Sequence, residues 1–207
     1  MKIVFLGDSI TVGTYTAVGE ESPQRIAKPN YAEIIKDYFG CEIENFALNG
    51  TPFSSTSSVN PQYAICKRIN EVSYADIIFV AGGTNDYGTS VELGKEGDNT
   101  DVSFFGAVDL SFNLLKDKAK KVFVITPIPR LDDGKNQKGY TLSDYRRALA
   151  ILAEKYGYKL INGENLPINP KNEGDKLKYI YDGVHLSCEG HGVYAKYIID
   201  KIKGEIE

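Results

Sequence analysis

Three short polar runs, far apart in the chain, hold side chains that together could hydrolyse an ester. They are Gly7-Asp8-Ser9-Ile10-Thr11, Gly83-Thr84-Asn85-Asp86 and Asp182-Gly183-Val184-His185. A serine hydroxyl becomes a competent nucleophile when a neighbouring base takes its proton. Histidine can be that base, a carboxylate can fix the tautomer of the histidine, and an asparagine amide can donate to an oxyanion. The three runs therefore predict nucleophilic catalysis by a serine.

Each run also has a purely structural interpretation. Asp8 or Ser9 could cap a helix, the asparagine run is typical of a turn, and Asp182 could open a turn before a helix capped at Ser187. The amide of Gly50 could be a second oxyanion donor, or Gly50 could be an ordinary loop glycine. Taken singly, the runs leave both interpretations open. Their occurrence together favours chemistry.

Other catalytic and ligand-binding motifs are not matched. Thr11 stands where the G-x-S-x-G nucleophile elbow requires glycine. The glycines after the first predicted strand have neither the dinucleotide-binding nor the P-loop spacing. Asp182, His185 and His191 do not form a recognised metal-ligand pattern. We therefore expect no metal and no cofactor, and we interpret His191 as structural or exposed.

The composition is ordinary for a globular protein, with 42% hydrophobic and 25% charged residues. A length of 207 residues predicts one domain over residues 1–207. A net charge of −4 argues against general nucleic-acid binding, and no apolar run approaches the roughly 18 residues of a membrane span. We expect a small-molecule or carbohydrate partner, with no nucleic acid and no membrane. The first apolar run is too short for a signal peptide, so we expect a cytoplasmic protein or a secreted one whose leader is not included.

Apolar runs of strand length alternate with helical patterns along the chain. Continuous apolar runs at residues 77–80 and 122–125 are typical of strands covered on both faces. The sequence predicts strands at residues 2–6, 41–47, 76–80, 121–126 and 159–162. It predicts helices at residues 31–39, 61–72, 103–118, 141–156 and 188–202, the fourth of them opened by a Thr141-x-x-Asp144 capping box.

This alternation predicts an α/β fold, a three-layer α/β/α sandwich around a doubly wound parallel sheet. Loops that follow parallel strands meet at the carboxyl edge of the sheet, where ligands bind. All three polar runs follow predicted strands or precede predicted helices on that edge. Residues 88–102, 130–140 and 163–179 are expected to be polar loops.

The same residues resemble the sequence blocks of the SGNH hydrolases, also called the GDSL family of esterases and lipases. Gly7-Asp8-Ser9 with Gly13 is similar to the first block, Asn45 with Gly50 to the second, Gly83-x-Asn85-Asp86 to the third, and Asp182-x-x-His185 to the fifth. Order and approximate spacing agree over nearly the whole chain. Ile10-Thr11 replaces the Leu-Ser of many lipase-like members and resembles the branch that includes carbohydrate esterases and acetylhydrolases.

The resemblance implies a flavodoxin-like fold with a five-stranded parallel sheet, in a single SGNH-hydrolase-like domain, and metal-independent hydrolysis. It implies Ser9 as the nucleophile, His185 as the base and Asp182 as the residue that orients the base. It also implies an oxyanion hole built from the amides of Ser9 and Gly50 and the side chain of Asn85.

The loops carry scattered charges, tyrosines and asparagines but no long apolar lid. This favours a serine esterase acting on short acyl esters, above all acetyl esters, of a carbohydrate. Asp8, Phe53, Tyr87 and Arg130 are the candidates for substrate binding. Two alternatives stay open: a lysophospholipase or acyl thioesterase of the same family, and a non-catalytic carbohydrate-binding module on the same fold.

Overall fold

The computed structural model describes residues 1–22 and 25–206, in which strands and helices alternate. The strands are β1 (Lys2–Leu6), β2 (Thr14–Tyr15), β3 (Arg25–Ile26), β4 (Glu42–Asn45), β5 (Ala75–Ala81), β6 (Ala119–Ile125) and β7 (Lys159–Ile161). The helices are α1 (Ser9–Val12), α2 (Tyr31–Phe39), α3 (Ile65–Arg68), α4 (Thr84–Gly88), α5 (Phe104–Leu115), α6 (Leu142–Tyr156), α7 (Glu173–Tyr179) and α8 (Cys188–Ile206). Short 3₁₀ turns lie at Pro61–Tyr63, Ile69–Glu71 and Gly163–Asn165. None of the helices in these residues is long and apolar enough to cross a membrane.

Five parallel strands form the central sheet in the order β4-β1-β5-β6-β7. The chain moves outward from β1 to β4 on one side and from β5 to β7 on the other. A strand order that reverses in this way creates a crevice at the carboxyl ends of the two central strands, here β1 and β5. The predicted α/β fold with a doubly wound five-stranded parallel sheet is confirmed.

Strands β1 and β5 are buried on both faces of the sheet, because successive side chains of a strand point to opposite faces and helices cover each one. On one face Phe5, Phe79 and Phe123 stack across β1, β5 and β6, with ring centroids 5.0 Å and 5.1 Å apart. Helices α2 and α8 pack over this aromatic row. Helices α3, α5 and α6 cover the other face, which is aliphatic. The strands are thereby fixed, and so are the loops at their carboxyl ends.

The predicted helix at residues 61–72 is broken into α3 and two 3₁₀ turns. The amide of Ile65 donates to the carbonyl oxygen of Pro52 at 2.8 Å, and the amide of Cys66 donates to that of Phe53 at 3.5 Å. These amides bond to a distant loop instead of to the preceding turn. The apolar side chains of Ala64, Ile65 and Ile69 in this stretch are nonetheless buried. The apolar pattern that predicted one continuous helix could not show the competing backbone acceptors in the loop after β4.

Helix α7 and strands β2 and β3 were not predicted. The loop expected at residues 163–179 contains α7, whose start is capped by Asn172, with the Asp175 amide donating to its side chain at 3.0 Å. Strands β2 and β3 form a separate antiparallel pair in which Thr14 lies opposite Ile26. Two-residue strands are too short to leave an alternating pattern in the sequence.

Candidate active site

Ser9 is the first residue of α1, directly after the turn that leaves β1. The carboxylate of Asp8 caps this short helix and accepts a hydrogen bond from the Ile10 amide at 3.0 Å. A first helical residue has no intrahelical acceptor for its amide, so the Ser9 amide can serve a ligand. A Cβ at Gly7 would meet Thr11 Oγ1 at 2.2 Å. Glycine is therefore required where the chain turns from β1 into α1, and the helix cap at Asp8 coexists with Ser9 at the first helical position.

His185 and Asp182 complete a hydrogen-bonded series with Ser9. Ser9 Oγ lies 2.9 Å from His185 Nε2, and His185 Nδ1 lies 2.8 Å from Asp182 Oδ2. A carboxylate can only accept, so Nδ1 carries the proton and Nε2 is left to accept from the serine hydroxyl. The ring is thereby held in the tautomer that can remove the proton of Ser9.

The Asp182 carboxylate receives four donors. Its Oδ1 accepts from the amides of Val184 at 2.9 Å and His185 at 2.7 Å. Its Oδ2 accepts from Thr16 Oγ1 at 2.7 Å as well as from the His185 ring. Burial opposes ionisation of Asp182, but the hydrogen bonds from His185 and Thr16 outweigh burial and lower the pKa well below its usual range. The group is an anion at every pH at which the protein is expected to work.

The loop after β4 brings Gly50 to the same edge. The amide of Leu48 donates to the carbonyl oxygen of Gly7 at 3.1 Å, which continues the β4–β1 pairing beyond the ends of both strands. Gly50 has φ +69°, and a Cβ there would meet Asn60 Nδ2 at 2.8 Å and Val59 Cγ1 at 2.9 Å. The same Asn60 amide donates to the carbonyl oxygen of Asn49 at 2.8 Å. This bond fixes the peptide plane that carries the Gly50 amide.

Asn85 lies in α4, directly after β5. Its Nδ2 donates to the carbonyl oxygen of Thr51 at 3.0 Å, which fixes the orientation of the amide group. An amide nitrogen has two hydrogens. One is used by Thr51, and within the described residues the other has no acceptor. Ser9, Gly50 and Asn85 therefore project from the ends of the three adjacent strands β1, β4 and β5, where backbone and side-chain donors can converge.

Asp86 holds the loop after β4 against α4. Its carboxylate is fully buried and accepts from the amides of Phe53, at 2.9 Å and 3.1 Å, and Ser54, at 2.9 Å. Burial raises the pKa of Asp86 to about 7, and the backbone donors act in the opposite direction. Sequence reasoning did not assign this role. The signal available to it was a carboxylate next to Asn85.

The four candidates for substrate binding differ in burial, and two of them do not line the pocket. Phe53 is 0% exposed and Tyr87 is 2% exposed, because both pack into the core beneath the site. The expectation that they line the pocket is thus corrected. Arg130 is half-buried, donates to the carbonyl and the hydroxyl of Thr84 at 3.0 Å, and has its guanidinium carbon 5.2 Å from the centre of the Tyr87 ring. Asp8 is buried, and burial raises its pKa to about 6.

His191 has a structural position, as interpreted from the sequence. It is fully buried on α8, and its Nδ1 accepts from the amide of Tyr31 at 3.3 Å. Burial lowers its pKa to about 4, so the ring is neutral at neutral pH. In residues 1–22 and 25–206, no three His, Cys, Asp or Glu side chains are grouped so that they could hold a metal ion.

Comparison with known proteins shows the family to which this sequence corresponds. The sequence model of the GDSL-like lipase/acylhydrolase family matches residues 5–193. The chain belongs to the GDSL-like lipase/acylhydrolase family. This GDSL-family membership supports a hydrolase. No significant match to a curated protein was found.

Solved structures share the fold of this GDSL-family chain. A protein from Lactobacillus plantarum is 24% identical, with a TM-score of 0.85 over 100% of this chain and 98% of its own. A lipase/acylhydrolase from Enterococcus faecalis is 18% identical, with a TM-score of 0.64 over 100% and 97%. An acetyl xylan esterase from Geobacillus stearothermophilus is 18% identical, with a TM-score of 0.62 over 97% and 94%. At these identities the likeness concerns the fold.

Proposed function

We propose that this GDSL-family hydrolase is a serine esterase that cleaves short acyl esters, above all acetyl esters of a carbohydrate. The observation that carries the proposal is the hydrogen-bonded series from Ser9 Oγ through the His185 ring to Asp182, with 2.9 Å and 2.8 Å between the paired atoms. A hydroxyl becomes nucleophilic when a base within hydrogen-bond distance takes its proton.

In the proposed mechanism, Ser9 Oγ attacks the ester carbonyl carbon while His185 Nε2 takes the hydroxyl proton. The carbonyl oxygen becomes an oxyanion that accepts from the amides of Ser9 and Gly50 and from the side chain of Asn85. The imidazolium then protonates the departing alcohol, which leaves an acyl group on Ser9. Water, deprotonated by the same ring, releases the acid and restores the serine. Asp182 remains ionised throughout and stabilises the imidazolium.

The substrate class is inferred from the groups around Ser9. The same sheet edge carries hydrogen-bonding groups, among them the Asn85 amide and the Arg130 guanidinium, whose charge acts on Asp8 and Asp182. Phe53 and Tyr87, which could have bound an acyl chain, are withdrawn into the core. A long acyl chain requires apolar surface for burial, at about 0.8 kcal/mol for each methylene group. A polar surround therefore favours a small acyl group on a hydroxyl-rich carrier.

The test is a chain-length series of 4-nitrophenyl esters, followed by acetate release from acetylated xylan and acetylated monosaccharides. We expect the highest kcat/KM for acetate and no loss of activity in EDTA. Ser9→Ala should reduce kcat by about 10⁴-fold or more. A wild-type rate in that variant would remove Ser9 as the nucleophile. Preference for acyl chains of eight or more carbons would favour the lysophospholipase or thioesterase alternative.

A further inference from the structure

Thr16 is a buried hydroxyl that contacts the acid of the proposed series. It is 3% exposed and follows β2, in the segment that leaves the nucleophile helix α1. Its Oγ1 donates to Asp182 Oδ2 at 2.7 Å. The same oxygen accepts from His185 Nδ1 at 2.8 Å. A residue near the start of the chain therefore contacts a carboxylate near its end.

The segment that carries Thr16 is itself fixed on both sides. Thr14 Oγ1 donates to Asn49 Oδ1 at 2.7 Å, next to Gly50. The amide of Ala27 donates to the carbonyl oxygen of Gly13 at 2.8 Å. Since these bonds restrict the backbone at residues 13–16, the Thr16 hydroxyl has little freedom to follow a rotating carboxylate.

We propose that Thr16 is a positioning residue that holds the Asp182 carboxylate in the plane in which it meets His185. The proposal rests on the serine esterase mechanism above. Without the hydroxyl, Oδ1 keeps two backbone donors but Oδ2 keeps the imidazole alone. The carboxylate could then rotate, and the ring would lose its fixed direction toward Ser9.

Loss of this donor also has an electrostatic consequence. A carboxylate with fewer donors attracts the neighbouring proton more strongly, so it stabilises the imidazolium form of His185 further. The Thr16 hydrogen bond helps to lower the pKa of Asp182, so its loss would raise that pKa. The acid limb of the kcat/KM profile, which reports the Asp182–His185 pair as a unit, would move to higher pH. Within the described residues, the charged or titratable groups that act on this pair include Asp8, Arg130 and His191. They remain unchanged when Thr16 is replaced.

The experiment compares Thr16→Val, which keeps the shape, with Thr16→Ser, which keeps the hydroxyl. In Thr16→Val we expect kcat to fall by about 10-fold to 100-fold, the range for one hydrogen bond to a charged group, with KM little changed. The acid limb should move to higher pH. Thr16→Ser should recover most of both properties. If the valine variant does not fold, Thr16→Ala provides a smaller hydroxyl-free variant.

Thr141→Val is the matched control. Thr141 Oγ1 donates to Asp144 Oδ2 at 2.8 Å, the same kind of contact at the start of α6. This control should lower the melting temperature and leave kcat and the pH profile as in wild type. In an Asp182→Ala background, Thr16→Val should have no further effect on kcat, because its acceptor is gone.

Three results would overturn the role of Thr16. They are a wild-type kcat and acid limb in Thr16→Val, equal losses in Thr16→Val and Thr16→Ser, or an undiminished effect of Thr16→Val in the Asp182→Ala background. Failure of the esterase mechanism itself is recognised separately. In that case Ser9→Ala would retain activity, whatever Thr16 does.

Discussion

Replacing Gly50 by alanine tests how closely the oxyanion loop is fitted to its surroundings. An alanine at φ +69° occupies the left-handed region, which costs an L-residue roughly 1–2 kcal/mol. The new Cβ would also lie 2.8 Å from Asn60 Nδ2 and 2.9 Å from Val59 Cγ1. Asn60 must therefore move away from the Asn49 carbonyl oxygen that it now contacts, which costs about 1 kcal/mol more. We expect a total loss of about 2–3 kcal/mol in the free energy of unfolding.

The catalytic effect of Gly50→Ala should exceed its effect on stability. The Asn49 carbonyl and the Gly50 amide belong to one peptide plane, so releasing the carbonyl lets the proposed oxyanion donor rotate. Loss of one such donor costs about 10²–10³-fold in kcat. The assay is kcat and KM with 4-nitrophenyl acetate, together with urea unfolding of the same preparation.

Gly40→Ala is the control for backbone strain. Gly40 has φ +58°, and nothing lies within 4 Å of its Cβ position. It should lose only the 1–2 kcal/mol of the left-handed conformation and keep wild-type kcat. Asn60→Gly tests the other half of the argument, since it removes the contact to Asn49 without adding a Cβ and should lower kcat in the same direction. A wild-type kcat in Gly50→Ala would refute the placement of the Gly50 amide in the oxyanion hole.

Two further predictions concern a donor and a buried base. Asn85→Ala should lower kcat by about 10²–10³-fold with a small change in KM, because the amide acts on the oxyanion rather than on the bound ester; an unchanged kcat with 4-nitrophenyl acetate would exclude this role. Burial lowers the pKa of His191 from 6.5 to about 4, so between these values the unfolded chain binds a proton that the folded protein does not. The contribution of His191 to the free energy of unfolding is therefore complete above pH 6.5. As the pH falls toward 4, the free energy of unfolding decreases by about 3 kcal/mol. Urea unfolding from pH 7 to pH 4.5 should show wild type losing stability relative to His191→Gln, and parallel curves would contradict the burial argument.

Much of the fold was available from local patterns. Apolar runs at residues 77–80 and 122–125 predicted strands covered on both faces, and the structure contains them as β5 and β6. The capping box at Thr141 and Asp144 is present at the start of α6. These features depend on neighbours within a few positions in sequence. The helix expected at residues 61–72 was interrupted because its amides found acceptors in the loop after β4, about a dozen positions earlier.

The residues of the site likewise fall into those that the sequence predicted and those that only the structure revealed. Sequence blocks predicted roles for the serine, the asparagine, the glycine and the Asp-His pair, since residue type and spacing express what each could do. Sequence could not identify Thr16 or Asp86 as partners of the site. Thr16 contacts a carboxylate 166 positions away, and Asp86 contacts amides 32 and 33 positions away. The sequence analysis also placed Phe53 and Tyr87 in the pocket, whereas both side chains are buried in the core.

The sequence by itself determined the chemistry that is available and the alternation of strands and helices. Both are local properties, because a side chain's functional group and the period of an apolar pattern do not depend on the rest of the chain. The tertiary structure decided which groups meet. It brought the ends of β1, β4 and β5 to one edge, set His185 between Ser9 and Asp182, and supplied the Thr16 hydroxyl from a segment with no motif. Such contacts follow from the order of strands in the sheet and the packing of its two faces, which no short stretch of sequence contains.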